Sequence, residues 1–181
     1  MATKPQSIWT ESAHFNNFRQ HLPAFEGMCY ETIDHLLEMG VLQVSTAFEH
    51  ALANLGKCEV INANHCDLSN GGEAKLTTTQ FHRGKVDAHV HNITGKTGQL
   101  LVQIYEQFTD KFYYFSIPYA AYAGLKVLEI PFTFDGEPKR NTKWYRYEVD
   151  SFDALATSLK KPKKNKKMKD KSPFDIFFTV E

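Results

Sequence analysis

The chain has 181 residues, 42% of them apolar and 23% charged, with 14 Phe and 8 Tyr. That length suits one domain, and the composition is that of a soluble globular protein able to build an aromatic core. No apolar run is long enough to span a bilayer, and Glu11, His14, Arg19, His21 and Glu26 interrupt the N-terminal stretch as a signal peptide would not allow. A cytoplasmic protein without a membrane partner is expected. Cys29, Cys58 and Cys66 form no CxxC pair, which argues against a disulfide framework and a thiolate zinc site.

The 21 basic and 21 acidic residues balance, but eight lysines and one Asp crowd into residues 160–171, KKPKKNKKMKDK. The remainder carries 13 basic against 20 acidic residues. An acidic body with a basic strap points to a polyanion met at a local site.

In chain order, residues 1–40 read as a polar, partly ordered arm with helical stretches and scattered aromatics (Trp9, Phe15, Phe18). Within it, 26–39 places Met28, Ile33, Leu36 and Leu37 at helical spacing before Gly40. A second helix is predicted over 45–55, with Ser45 or Thr46 as N-cap, Gly56 as C-terminal cap, and Phe48, Leu52 and Leu55 on its apolar face. Strands follow at 58–66, 73–79, 86–93, 100–107, 111–117, 126–134 and 143–149, with a tight turn at 69–72 (SNGG) and a short helix at 119–125. The aromatic run 112–115 reads as a buried central strand. Ser151 is the expected N-cap of a last short helix carrying Phe152, Leu155 and Leu159. Helices first and strands afterwards make the fold class α+β, a central mixed β-sheet flanked by helices in one domain, with the lysine-rich segment as a mobile loop before an apolar end.

The segment Asp67-Leu-Ser-Asn-Gly-Gly-Glu73-Ala-Lys75 carries the most chemistry. Alternate residues of a strand share a face, so Glu73 and Lys75 point together while Ala74 and Leu76 point to the core. Asp67 approaches from across a tight turn. Two carboxylates with an adjacent ammonium make a site for a hard divalent cation such as Mg²⁺, which shares its shell with water and phosphate oxygens.

This arrangement resembles the PD-(D/E)xK nuclease superfamily, and within it the type II restriction endonucleases, over residues 45–118. The matching residues are Asp67, Glu73 and Lys75, with Glu-Ala-Lys as the second half-motif. The resemblance implies a restriction-endonuclease-like core. It implies that Asp67, Glu73 and the main-chain carbonyl of Ala74 hold Mg²⁺, and that Lys75 assists the nucleophilic water. It also implies that Glu49, on the preceding helix, is a candidate additional acid. Glu59 is the alternative first acid; along one extended strand it would stand roughly 26 Å from Asp67, too far to share a metal.

Other residues supply secondary candidates. Asp87, His89 and His91 line one strand face, with His65 and His82 nearby in sequence; they read as polar residues of a solvated or DNA-facing strand, or as ligands of a transition metal in an unrelated enzyme. Thr94–Gly98 fails the Walker pattern and reads as a turn, with Lys96 placed to touch phosphate. Lys139, Arg140 and Lys143, with Lys160, Lys161, Lys163, Lys164, Lys166 and Lys167, make the expected DNA-contacting set. The expected function is a Mg²⁺-dependent endodeoxyribonuclease cutting duplex DNA, of the restriction-enzyme kind and homodimeric, because two symmetric cuts need two sites. The rival is a non-catalytic nucleic-acid-binding or regulatory protein that uses the lysine run alone.

Overall fold

Residues 8–159 are described by a computed structural model; residues 1–7, and the whole lysine run with the apolar end that follows it, lie outside the described residues. The helices α1 (Ile8–Phe18), α2 (Tyr30–Glu38) and α3 (Val44–Gly56) come first. On α3, Val44, Ala47, Phe48, Ala51 and Leu52 are buried, the i, i+3, i+4, i+7 stripe of a helix with one face against a core. The first helix is packed rather than arm-like. Phe15 and Phe18 are fully buried and meet Phe25, Phe48 and Phe152 ring to ring.

The ends of α3 correct the sequence expectation. Gln43, not Ser45 or Thr46, stands at the N-cap, and it gives no side-chain bond. The left-handed C-cap is Lys57, with φ 52°. Gly56 serves a different end. A Cβ there would lie 3.0 Å from the Ala156 carbonyl oxygen, so the missing side chain lets α3 approach α5 (Phe152–Thr157). The cap of α5 is as expected, with Ser151 Oγ accepting from the Ala154 N–H.

The stretch expected as one strand at 58–66 is instead broken. β1 (Val60–Ala63) and β2 (Cys66–Leu68) form a separate antiparallel hairpin, with Ala63 opposite Cys66 and Val60 opposite Leu68. Two polar residues, Asn64 and His65, turn the chain. The extended separation of Glu59 and Asp67 therefore does not exist: the Ser69 N–H bonds the Glu59 carbonyl at 2.8 Å.

The main sheet has six strands in the order β7-β4-β3-β5-β6-β8. They are β3 (Gly72–His82), β4 (Lys85–Val90), β5 (Gln99–Glu106), β6 (Lys111–Ile117), β7 (Leu128–Phe132) and the short β8 (Glu148–Val149). β3 and β5 are parallel, and the other pairs are antiparallel. The strand expected at 143–149 is mostly a 3₁₀ turn (Tyr145–Tyr147) ahead of β8. Of the two central strands, β3 and β5, β5 is buried from Leu100 to Glu106; β6, with Tyr113 and Phe115 buried, lies one strand further out. The helix expected at 119–125 is the single turn α4 (Tyr119–Tyr122).

The sheet has a core on each face. On one, Ala74, Leu76 and Leu101 pack under α1, α2, α3 and α5. On the other, the sheet curls so that Val86, Ala88 and Val90 of β4 and Leu128, Ile130 and Phe132 of β7 join Leu100, Val102, Phe115 and Ile117. The architecture is thus α+β with a mixed sheet flanked by helices. Among the described residues no helix is long and apolar enough to cross a membrane.

Candidate active site

The site forms where β3 has lost a neighbour. β4 pairs with β3 between Thr79 and His82 and ends at Val90. Residues 72–78 of β3 keep β5 on one edge and, among the described residues, have no paired strand on the other. Thr77 Oγ1 still reaches the His89 carbonyl at 2.8 Å. Beyond that point the open edge meets β2. Asp67 Oδ2 accepts the Ala74 N–H at 3.0 Å. Within one strand residue the N–H and C=O point to the same side, so the Ala74 carbonyl also faces this edge.

Glu73 and Lys75 alternate onto one face, as their spacing requires. Glu73 is fully buried, and its two oxygens are held by different lysines: Oε1 lies 2.7 Å from Lys75 Nζ and Oε2 lies 3.0 Å from Lys96 Nζ. Lys96 Nζ also lies 3.7 Å from Asp67 Oδ1. Both Glu73 oxygens are thus paired with an ammonium group. Two ammonium groups offset the cost of burying this carboxylate.

Lys96 arrives by the connection from β4 to β5. That loop crosses the open half of β3, held by Lys96 N–H to the Ile93 carbonyl and by the Thr97 and Gly98 N–H groups to the His65 carbonyl. Gly98 permits the crossing. A Cβ there would lie 2.8 Å from the Gly71 carbonyl oxygen and 3.0 Å from Cys66 Cβ. The Gly98 carbonyl accepts the buried Tyr122 hydroxyl.

Glu49 completes the group from α3. Its carboxyl is pushed up to about 7, first by burial and then by the negative charges of Asp67 and Glu73, with Lys75 and Lys96 acting the other way. For Lys96, burial works against its charge, but the bonds and charges of Glu73 and Asp67 prevail and raise it. The Cys66 thiol is raised by burial and then by Glu73 and Asp67. Three acids and two lysines therefore share one electrostatic site.

Among the described residues no group of three or more His, Cys, Asp or Glu converges as a metal cage; Asp67 and Glu73 are joined through Lys96 instead. Hard carboxylate oxygens and one backbone carbonyl at the open edge are donors of the kind Mg²⁺ takes; that ion binds through one or two carboxylates and keeps its waters. Glu59, the alternative acid, is exposed, and its backbone N–H bonds Ser69 Oγ.

The expected DNA-contacting residues do not all gather here. Lys96 faces carboxylates rather than solvent. Lys139, Arg140 and Lys143 are exposed, with Arg140 over Tyr145 at 5.5 Å and Lys143 over Trp144 at 4.2 Å. Their segment is tied to the far end of the sheet, where Tyr113 donates to the Gly136 carbonyl and Lys111 pairs with Glu137 at 2.7 Å. At strand rise that end is roughly 20 Å from Glu73. Asp87 and His89 pair at 3.0 Å on the half-buried face of β4, and His91 is exposed. The partnership of Lys96 with Glu73 has no sequence signal beyond a lysine in a turn.

No protein-family model, no curated protein and no solved structure matches the chain.

Proposed function

We propose that this protein is a Mg²⁺-dependent endonuclease acting on duplex DNA, with Asp67, Glu73 and the Ala74 carbonyl as metal ligands and Lys75 beside the attacking water. The observation that carries the reading is the meeting of Asp67, Glu73 and Lys75 at the open edge of β3, with Glu49 of α3 close enough to feel their charges. When bound, the metal would lower the pKa of water and offset charge on the phosphodiester. Water oxygen forms the new bond to phosphorus, the bond to the leaving sugar oxygen breaks, and that oxygen takes up a proton. Lys75 orients the water and offsets charge developing on phosphate. Glu49, which titrates near neutrality, is suited to receive or return a proton. A restriction-type core and a homodimer with two such sites complete the proposal. The lysine run supports it from the sequence.

The test is digestion of plasmid and genomic DNA with Mg²⁺ or EDTA, beside Lys75→Ala. Discrete Mg²⁺-dependent fragments that the variant does not produce are expected. Salt-sensitive DNA binding without any cleavage by the wild type would overturn the nuclease and favour a binding protein.

A further inference from the structure

We infer that Lys96 is a built-in competitor for the divalent cation: its ammonium bridges Glu73 and Asp67 and must leave them when the metal binds. The inference rests on the nuclease reading above and adds a regulatory step to it. Lys96 Nζ lies 3.0 Å from Glu73 Oε2 and 3.7 Å from Asp67 Oδ1. These are the two side chains assigned as ligands. Magnesium takes carboxylate oxygens at about 2.0–2.1 Å. A divalent ion on that pair and an ammonium bridging it would be like charges near contact.

The two lysines are mounted differently. Lys75 sits within β3, whose backbone is paired to β5 with Lys75 opposite Val102. Its nitrogen holds the other Glu73 oxygen, at 2.7 Å, and no ion pair joins it to Asp67 among the described contacts. Lys96 sits in a turn between exposed residues, Thr94 and Gly95 before it and Thr97 after it. Anchors at Ile93 and His65 fix the loop backbone, but the four-carbon stem is free to swing while that backbone stays in place. A lysine released from the carboxylates beside the scissile phosphate is then placed to contact it. Before metal arrives, Lys96 and Lys75 together offset the buried charge of Glu73, and Lys96 also offsets Asp67.

The experiment is calorimetric titration of Mg²⁺ and Mn²⁺ into the full chain without nucleic acid, for wild type, Lys96→Met, Lys96→Gln, Lys75→Met and Asp67→Asn. Wild type should bind a divalent ion that Asp67→Asn loses. Both Lys96 variants should bind it about tenfold more tightly, and Lys75→Met should gain less. Thermal unfolding of each variant identifies any that fails to fold, and the two Lys96 substitutions back each other up. Metal binding lost in Asp67→Asn but unchanged in both Lys96 variants, or an equal gain in Lys75→Met, would overturn the inference while leaving the nuclease standing. Absence of divalent binding in every folded protein would overturn both.

Discussion

The Asp67 carboxylate accepts the backbone N–H of Ala74 at 3.0 Å. This bond ties the β1–β2 hairpin to the edge of β3 that β4 leaves open, beside the Thr97 and Gly98 bonds to the His65 carbonyl and the buried Leu68. It also gives Asp67 two separable duties: acceptor for a strand N–H and negative charge beside Glu73. Asp67→Asn keeps an acceptor oxygen and removes the charge. Asp67→Ala removes both and strands the N–H, at a cost of about 1–3 kcal/mol. Urea denaturation should place Asp67→Asn near the wild type and Asp67→Ala clearly below it, while both lose the proposed Mg²⁺-dependent cleavage.

Glu49 makes stability fall as pH rises through the neutral range. Its carboxyl is raised from 4.5 to about 7 by burial and by Asp67 and Glu73. Between those values the folded protein holds a proton that the unfolded chain has released. The contribution is therefore complete below 4.5 and is lost as pH rises through about 7. In EDTA, Glu49→Gln should remove this downward slope; a variant with the wild-type slope would contradict the assignment.

His14 acts with the opposite sign. It is 1% exposed and lies within hydrogen-bonding distance of Gln103 at Nδ1, 3.0 Å, and of Thr78 Oγ1 at Nε2, 3.1 Å. Burial lowers it from 6.5 to about 4, against a smaller opposing backbone bond. Its contribution is complete above 6.5 and is lost as pH falls through about 4, up to about 3 kcal/mol in all. Across the overlap the two groups offset each other, so the wild type should show a flattened pH profile. His14→Gln should leave the Glu49 slope exposed, and chemical denaturation at pH 5 and pH 7 measures it.

Gly98→Ala tests the loop that delivers Lys96. Its Cβ would fall 2.8 Å from the Gly71 carbonyl oxygen, a backbone atom that cannot turn aside. A destabilisation of about 1–3 kcal/mol is expected, with Mg²⁺ affinity altered because the Lys96 turn shifts. Unchanged stability and unchanged metal affinity would show that the loop tolerates displacement.

Much of this was legible in the sequence because it depends on local rules. Glu73 and Lys75 share a face because a strand alternates. Ser151 caps α5 because its hydroxyl reaches the Ala154 N–H. The apolar stripe of α3 follows from 3.6 residues per turn. Where contacts between distant elements compete, the local signal failed. Gly56 resembles a helix stop, but it is a helix-packing glycine because α5 lies against it. The run 58–66 has strand character throughout, yet Asn64 and His65 turn it back so that Asp67 can reach Ala74.

Composition and periodicity need no partner, and they are enough for the α+β order, the Glu-Ala-Lys face and the acidic body with its basic run. The tertiary structure decided that β4 stops short of Glu73, that Glu49 and Asp67 arrive from α3 and β2, and that Lys96 stands between two carboxylates. Those outcomes depend on burial. Two lysines and a proton near Glu49 are what let three acids share a half-enclosed space, and no spacing along the chain encodes which charges must meet there.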